Sequence, residues 1–483
     1  MTKKYLYFAL LPLLLTSCNS SNTSQSTHDD EDNSGVIKED VTIDFLCMAD
    51  SKYLSKLKDM IKEFMEKEPH VKVNLSNPLG TGNYGMLEKS VVAGFFKDEY
   101  PDIVQGYPDN VVKYINRHYA VKLDDYLSNE EYGIIQDKQD YIPSFIEEGA
   151  SYHVNGTYSL PFCKSTEVLF YNEDALLGLD LSDIDASINN GKPIDAAYLD
   201  DLSWETLFGN LCPAIKAYNN ALPIEEKIIK GDNPTIFTYD SDENFFITLA
   251  NQYNYGYTSV NEEGQASIDF NNDGMKNLMK KMNAARNNGY IETKATYGDY
   301  TSSLFTSEST LFTVASTAGL TYLYDENNPF KIGVAKIPHP EGKPSIAINQ
   351  GPSVCILDHH DENRALASFL LWKHITDEKN SSSWAVTTGY MGIRNSSYTS
   401  QEYLDAFNVD ENETDLYKIA SAKLLGKIAD VRDTTFNTRV FKGSSNARTN
   451  AGLLLRDCLL SNDIDTDIDQ LFQSYAEEAK THL

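Results

Sequence analysis

Hydrophobic and polar residues alternate near position 41 and then change to a helical spacing. Val41, Ile43, Phe45 and Cys47 alternate with polar residues, which is the period of a half-buried strand. Over 54–65 the apolar residues recur every three or four positions, which predicts a helix, and over 71–75 they alternate again. Two strands joined by a helix of this length predict a parallel pair. The loop that follows is placed at the sheet edge where parallel sheets bind ligands.

A second pattern, over 156–177, predicts two strands separated by a break. Small and polar residues lead to Pro161, and an apolar run over 168–171 follows. The polar triplet Ser165-Thr166-Glu167 stands at the head of that run. Three hydrogen-bonding side chains in succession favour a polar site or a crossing between two lobes. An ordinary turn is the alternative.

A third pattern, over 311–324, predicts a strand that runs through small residues into a helix. The apolar residues 311–314 precede Ala315-Ser316-Thr317-Ala318-Gly319. The start of a helix exposes free backbone N–H groups. This segment therefore predicts a site for an anion or a hydroxyl group.

Two further segments predict helix caps. Ser203 precedes Trp204 at a predicted helix start and is expected to be its cap. Residues 269–274 look at first like a calcium loop, but Lys280 stands where the twelfth position of such a loop requires a bidentate glutamate. A helix capped by asparagine is therefore predicted there.

The first 40 residues have the composition of a leader followed by a tether. Lys3 and Lys4 precede an apolar run over 5–15, which is too short to span a bilayer core of ~30 Å, so residues 1–17 are predicted to be a signal peptide. The residues up to Cys18 resemble the lipobox of bacterial lipoproteins, which implies cleavage before Cys18 and lipid attachment to its sulfur. A plain secretory signal with a chance cysteine is the alternative. Residues 18–40 are polar and acidic, which predicts a disordered linker, and the lipobox resemblance implies that a lipid anchors it at Cys18.

Length, charge and cysteine content narrow the class of protein. The 483 − 40 = 443 residues after the linker are enough for two domains. A formal net charge of −30 argues against binding to nucleic acid or to anionic lipid. Five widely spaced cysteines remain besides Cys18, and the nine histidines show no ligand spacing. Neither a disulfide framework nor a metal site is expected, and no cofactor is expected.

Short segments resemble, in the right order, those of extracellular solute-binding proteins that serve ABC importers of sugars and glycerol phosphates. The resemblance covers about residues 41–460 and rests on Pro101-Asp102-Ile103, Leu123-Asp124-Asp125-Tyr126, the run from Pro161 to Asn172, Ser203-Trp204-Glu205-Thr206-Leu207, the run from Ile332 to Pro338, Gly351, and Thr388-Gly389-Tyr390-Met391-Gly392-Ile393-Arg394. Two positions depart from the family pattern. Gln350 replaces the first glycine of a pair, and Gly392 replaces a proline.

This resemblance implies an α/β fold with two lobes, of the type II periplasmic-binding-protein kind. The lobes are joined by a hinge and close over a ligand in the cleft. The expected N-terminal lobe comprises 41–166 and 318–375, and the expected C-terminal lobe comprises 167–317 and 376–483. The implied function is the capture of a carbohydrate-type solute and its delivery to a membrane permease.

The resemblance implies a binding protein rather than an enzyme. The sequence contains no Gly-x-Ser-x-Gly, His-Glu-x-x-His or P-loop motif. An extracellular glycosidase is one alternative, because among 71 acidic residues two carboxylates can lie by chance at the separation that glycoside hydrolysis requires. A surface lipoprotein without a transport role is another.

The ligand is expected to be small. Trp204, Trp372 and Trp384 lie in stretches that are typical of core-facing helix, which disfavours the aromatic platforms that bind long glucans, although 30 tyrosines can substitute. The resemblance is further to the glycerol-3-phosphate-binding branch, through Gly82-Asn83-Tyr84 and the segments 164–169 and 314–318. A sugar and a glycerol phosphate or glycerophosphodiester both stay open.

Ligand contacts are implied at the positions that match the family. These positions are Tyr84, Ser165, Ser316, Gly351, Tyr390 and Arg448. Pro108 stands at the place of the acidic contact to a glycerol hydroxyl, so Asp109 beside it is the candidate for that role. For Arg448, an exposed arginine at a helix start is the alternative.

The expected location is the extracytoplasmic face of the cell membrane. The lipid on Cys18 would hold the protein there, and the expected partners are a small-molecule solute and ABC permease subunits. We expect a monomer that does not bind nucleic acid.

Overall fold

Two five-stranded sheets organise the part of the chain that the computed structural model describes, which is residues 35–49, 51–80, 84–231 and 234–483. The predicted signal peptide, Cys18 and most of the predicted linker lie outside these residues. The strands in chain order are β1 (Val41–Leu46), β2 (Val71–Ser76), β3 (Ile103–Gly106), β4 (Leu160–Pro161), β5 (Glu167–Asn172), β6 (Phe237–Tyr239), β7 (Thr258–Val260), β8 (Ala266–Ile268), β9 (Ile291–Thr293), β10 (Phe312–Ser316), β11 (Ile332–Ala335), β12 (Ala347–Ile348), β13 (Ser353–Ile356) and β14 (Thr435–Phe436).

Helices cover both sheets. They are α1 (Ser51–Lys67), α2 (Tyr84–Phe95), α3 (Pro108–Ile115), α4 (Asp124–Leu127), α5 (Pro143–Glu148), α6 (Glu173–Leu176), α7 (Ala196–Leu199), α8 (Trp204–Thr206), α9 (Cys212–Ala221), α10 (Asp242–Gln252), α11 (Asp273–Asn287), α12 (Lys294–Tyr297), α13 (Ser302–Thr306), α14 (Leu320–Leu323), α15 (Glu362–Ile375), α16 (Glu378–Thr388), α17 (Gln401–Phe407), α18 (Leu416–Val431), α19 (Ser444–Leu460) and α20 (Ile464–Lys480). A π-helical turn, Leu207–Leu211, joins α8 to α9.

The first sheet has the order β2-β1-β3-β13-β4. The predicted strand, helix and strand at its start are confirmed, since β1 and β2 are parallel and Ile43 is opposite Val73. Alternate residues of its strands face opposite sides, so Ile103 packs with α1 and α15 while Val104 packs with α2 and α3. Helices therefore bury both faces of this sheet, as parallel strands require.

The second sheet has the order β11-β5-β10-β6-β9. The run over 168–171 forms the predicted strand β5, which is completely buried. Asn172 ends this strand, and its side chain accepts a hydrogen bond of 3.0 Å from the N–H of Ala175. The second hydrophobic core lies on one face of this sheet, where Leu169 and Tyr171 point, and includes α10, α11 and α19.

The predicted helix caps and buried side chains are confirmed. Ser203 accepts a hydrogen bond of 3.0 Å from the N–H of Thr206, and Asn272 accepts one of 3.0 Å from Met275. The three tryptophans are buried in the cores. So are the five cysteines of the described residues, which form no disulfide. Among the described residues, none of the helices is long and apolar enough to cross a membrane.

The predicted linker is too long at its C-terminal end. Ile37 is buried in the hydrophobic core that Ile103 shares with α1 and α15, which we call the first core. The N–H groups of Val36 and Ile37 donate to the carboxylate of Glu68 at 3.0 and 3.2 Å. An apolar side chain with its backbone hydrogen bonds satisfied is ordered by its burial. The globular part therefore begins before the predicted position 41.

Two elements lie with a different sheet from the one that the predicted lobe boundaries imply. β11 falls within 318–375, yet it pairs antiparallel with β5 of the second sheet. α16 falls within 376–483, yet its Trp384 packs in the first core, with its ring 5.0 Å from that of Phe162. These placements depend on which sheet edge and which helix face are available for pairing, and local sequence does not encode that choice.

Three segments connect the two sheets side by side, and we call them the crossover segments: 162–166, 348–352 and 432–443. Ser165 bridges to Gln350, and β12 pairs with β14. Gly351 has a φ of +89°, and a Cβ there would lie 1.9 Å from the carbonyl oxygen of Cys163. Only glycine allows this approach of the first two segments.

Candidate functional site

A cavity of about 590 Å³ lies between the two sheets, where the ends of strands from both sheets converge. Of its lining residues, Tyr107 and Asp109 follow β3, Asp240 and Asn244 follow β6, and Ser316 ends β10. The carboxyl ends of strands are the usual place for a ligand in an open α/β sheet. Ligand pockets have volumes of roughly 300–1,000 Å³, so this cavity suits a small solute.

Five of the seven predicted contact residues line this cavity. They are Tyr84, Asp109, Ser316, Gly351 and Arg448. They come from sequence positions as far apart as 84 and 448, and they occupy both sides of the cavity and its base. Their contact with a ligand stays a prediction.

Ser165 and Tyr390 do not line the cavity. Ser165 is buried in the first crossover segment, where its backbone exchanges hydrogen bonds of 2.9 and 2.8 Å with that of Gln350. Tyr390 is half-buried, and its ring lies edge-on to that of Tyr53 with centroids 6.1 Å apart. Their predicted ligand contacts require a rearrangement or a solute that extends beyond the cavity.

Aromatic and acidic side chains form the wall on the side of the first sheet. The rings of Tyr84 and Tyr107 meet edge to face, with centroids 4.9 Å apart. Asp109 lies in the first turn of α3 and accepts a hydrogen bond of 2.5 Å from the hydroxyl of Ser444, the first residue of α19. Because α3 packs on the first sheet and α19 in the second core, this hydrogen bond crosses the cleft.

A buried carboxylate organises the opposite wall. Glu167 is 3% exposed and accepts hydrogen bonds from the hydroxyl of Tyr239 and, at 2.8 Å, from the side-chain amide of Asn244. The guanidinium of Arg448 donates to the amide oxygen of the same Asn244. Burial raises the pKa of Glu167 to about 7, although its two hydrogen bonds and Arg448 act in the opposite direction.

Asp240 adds a second carboxylate to this wall. Its Oδ1 accepts hydrogen bonds from the N–H of Thr301 at 3.1 Å and from the Thr301 hydroxyl at 3.2 Å. Burial raises the pKa of Asp240. The wall therefore offers carboxylate oxygens, which accept hydrogen bonds from hydroxyl groups, and one guanidinium, which donates them.

A buried ion pair closes the base of the cavity. The ammonium of Lys164 lies 2.6 Å from Glu148 and 2.9 Å from the carbonyl oxygen of Gly351. Glu148 also accepts from Ser353 at 3.1 Å and from Asn349 at 3.3 Å. This network joins α5 to two crossover segments.

The helix predicted after Ser316 is shorter than expected. A 3₁₀ turn, Thr317–Gly319, follows Ser316, and α14 has only four residues. The hydroxyl of Ser316 accepts a hydrogen bond of 3.3 Å from the N–H of Ala318, which satisfies one of the free donors. A helix this short has little macrodipole, so the predicted anion site would depend on Arg448 rather than on this helix.

The sequence patterns did not identify Glu148, Glu167, Asp240 or Asn244 as lining residues. Glu167 belonged to the polar triplet that predicted a polar site, so a signal for it existed. Asp240 and Asn244 follow β6, a strand of only three residues, which is too short to show a period. Glu148 ends a six-residue helix, and nothing in its local sequence distinguishes it from other acidic residues.

Comparison with known proteins is consistent with this architecture. Residues 59–411 match the family described as bacterial extracellular solute-binding protein. Among curated proteins, none has a sequence that matches this chain.

Solved structures with a similar fold cover almost the whole chain. UgpB from Mycobacterium tuberculosis, solved in complex with glycerophosphocholine, has a TM-score of 0.65 at 16% identity, over 91% of this chain and 98% of its own. The cyclic alpha-maltosyl-1,6-maltose binding protein from Arthrobacter globiformis has a TM-score of 0.66 at 14% identity, over 92% and 100%. MalE from Xanthomonas citri has a TM-score of 0.63 at 14% identity, over 91% and 98%. At these identities the likeness shows the fold, and the predicted two-lobed α/β fold is confirmed.

Proposed function

Because the chain belongs to the bacterial extracellular solute-binding proteins, we propose that it is the receptor of an ABC importer. In this proposal it captures a carbohydrate-type solute on the extracytoplasmic side and delivers it to permease subunits in the membrane. Members of this family bind solutes, and the proposed role requires no catalytic group.

The observation that carries the proposal is a polar cavity whose walls come from two sheets. Tyr107 and Asp109 stand on one side, Asn244 and Arg448 on the other, and the crossover segments run along the base. A solute in this position would contact both lobes at once. Binding would then stabilise the closed arrangement by the contacts that only closure allows.

The proposed solute is a sugar or a glycerophosphodiester. Two proteins of similar fold bind such solutes: UgpB was solved in complex with glycerophosphocholine, and the Arthrobacter globiformis protein is a cyclic alpha-maltosyl-1,6-maltose binding protein. The carboxylates of Glu167 and Asp240 can accept hydrogen bonds from hydroxyl groups, which both solutes have. The guanidinium of Arg448 would suit a phosphate, because its two parallel donors match two phosphate oxygens.

A panel of solutes tests this function. The purified protein is melted with maltose, maltotriose, glycerophosphocholine and sn-glycerol 3-phosphate. A true ligand at 100 times its dissociation constant adds ~2.7 kcal/mol to the free energy of unfolding. Ser316→Trp would fill the cavity and should abolish the shift, whereas Ser303→Trp, at an exposed position, should keep it.

The same incubations distinguish a receptor from a glycosidase. The receptor returns each solute unchanged. Products formed over many turnovers, and lost on replacement of a single lining carboxylate such as Asp240→Asn, would identify a hydrolase instead.

Attachment to the membrane is a separate part of the proposal. Cys18→Ala is expected to release the protein into the soluble fraction without changing solute affinity, since the acidic segment after Cys18 separates the anchor from the lobes. Two or three acyl chains are enough to hold a protein to a bilayer. The polypeptide itself has a net charge of −30, which argues against binding to anionic lipid without those chains. Cell fractionation measures the release. A variant that stays in the membrane fraction would mean that another anchor exists.

A further inference from the structure

The Glu167 carboxylate and the Arg448 guanidinium are linked by one neutral amide. Asn244 donates through its nitrogen to Glu167 at 2.8 Å and accepts through its oxygen from Arg448. The amide is thus oriented with its donor toward the negative charge and its acceptor toward the positive one. This arrangement lets Glu167 balance the charge of Arg448 without a direct ion pair.

Three charged or titratable groups face Glu167 from the elements packed against it. Tyr239 and Asp240 come from the end of β6, and Arg448 comes from α19. Burial and the negative charge of Asp240 raise the pKa of Glu167, and the result is a value of about 7. Near neutral pH this carboxyl can therefore exist with or without its proton, and Arg448 is compensated only in the ionised form.

We propose that Glu167 is a specificity-determining residue of the solute site. In the empty site, the ionised Glu167 balances the positive charge of Arg448 through Asn244. When an anionic group of the solute binds Arg448, that group balances the charge instead, and Glu167 takes up one proton. The inference rests on the proposed function, because it concerns the same cavity. The proton comes from bulk water and converts the carboxylate to a carboxylic acid. The hydroxyl of Tyr239 can rotate from donor to acceptor and receive the new O–H.

The sign of the effect follows from the charges. An anion beside Arg448 brings a second negative charge into the wall that holds Glu167, which favours the protonated form. By linkage, the affinity for an anion then rises as the pH falls through the range in which Glu167 titrates. A neutral sugar adds no negative charge, and hydrogen bonds from its hydroxyl groups favour the ionised carboxylate, so its affinity should not rise as the pH falls.

Calorimetric titration with two probes tests the inference. Glycerophosphoglycerol keeps one negative charge over the whole range from pH 5.5 to 8.5, and maltose is uncharged. Above pH 7 the affinity of the wild-type protein for the diester should rise by up to about tenfold for each unit by which the pH falls, the limit for uptake of one proton. Titrations in buffers of different ionisation enthalpy should show the uptake of up to one proton per diester bound near pH 8, and this readout needs no variant.

Two variants separate a specific role of Glu167 from a general effect of charge. Glu167→Gln should bind the diester at pH 8.5 as tightly as the wild-type protein does at pH 5.5, with no proton uptake. Asp240→Asn removes a carboxylate from the same wall without touching Asn244. Because the charge of Asp240 helps to raise the pKa of Glu167, this variant should keep a pH-dependent profile that is shifted to lower pH. If Asp240→Asn flattened the profile as Glu167→Gln does, the inference would be overturned.

A measurement without solute checks the titration itself. A carboxyl with a raised pKa in the native state binds its proton more tightly there than in the unfolded chain, so stability falls as the pH rises through that range. Between pH 5.5 and 8.5 the melting temperature of the wild-type protein should therefore fall relative to that of Glu167→Gln. Parallel melting profiles of the two proteins would overturn the inference.

Failure of the inference differs from failure of the proposed function. Absence of diester binding at every pH, or a diester affinity independent of pH, overturns the inference. Maltose binding in the same experiment would leave the receptor function standing. Absence of binding by both probes would contradict the proposed solute class as well.

Discussion

Lys164→Met is expected to lower the free energy of unfolding by about 3–5 kcal/mol, the cost of removing one partner from a buried ion pair. The Lys164 side chain is completely buried, and its ammonium lies 2.6 Å from Glu148. Methionine has a similar length but leaves the carboxylate of Glu148 without a counter-charge and the carbonyl oxygen of Gly351 without its donor. Equilibrium unfolding in urea measures the loss.

The chain provides a matched control for this prediction. Lys230 forms an ion pair of the same length, 2.6 Å, with Glu308, but the Lys230 side chain is 55% exposed. Lys230→Met should therefore cost less than about 1 kcal/mol, as exposed pairs do. The double variant Lys164→Met with Glu148→Gln should recover part of the loss, because no charge is left buried. If Lys164→Met and Lys230→Met cost the same, the buried pair would not stabilise the fold as we describe.

Arg448→Lys is expected to reduce the affinity for a glycerophosphodiester by ~1.5–3 kcal/mol, the usual worth of a hydrogen bond to a charged group. Lysine keeps the positive charge but loses the planar pair of donors that can bind two phosphate oxygens. It also loses the geometry with which the guanidinium contacts Asn244 in the cavity wall. Isothermal titration calorimetry at one pH and low ionic strength measures the change.

A second arginine controls for the loss of a guanidinium elsewhere. Arg117 is exposed, does not line the cavity, and donates to the carbonyl oxygen of Lys113 at 3.0 Å. Arg117→Lys should leave the diester affinity unchanged. An Arg448→Lys variant that binds the diester as tightly as the parent would remove Arg448 from the site. A wild-type protein that binds only neutral sugars would show that the solute carries no phosphate.

Part of the site could be predicted because the family resemblance carried residue positions with it. The resemblance supplied Tyr84, Asp109, Ser316, Gly351 and Arg448 as contacts, and the structure brings all five to one cavity. The pattern of the triplet 165–167 indicated a polar site or a crossing between lobes, and Glu167 lines the cavity. What the resemblance could not supply was the partner of each group.

Those partners could not be predicted from the sequence because the residues that meet are distant along the chain. Glu167 and Asn244 are 77 positions apart, and Asn244 and Arg448 are 204 positions apart. Lys164 and Glu148 are closer, but the acceptor on Gly351 is 187 positions from Lys164. No periodicity or spacing connects such positions, and a raised pKa depends on the burial that their packing creates.

The sequence by itself determined the local elements and their order. Alternation defined β1 and β2, helical spacing defined α1, and single polar residues capped helices at Ser203 and Asn272, because each of these signals acts between neighbours a few residues apart. Only the tertiary structure decided that β11 joins the second sheet, that α16 packs on the first core, and that Glu167, Asn244 and Arg448 meet in one wall. The physical reason is that strand pairing, burial and charge balance are properties of surfaces that come together only when the whole chain has packed.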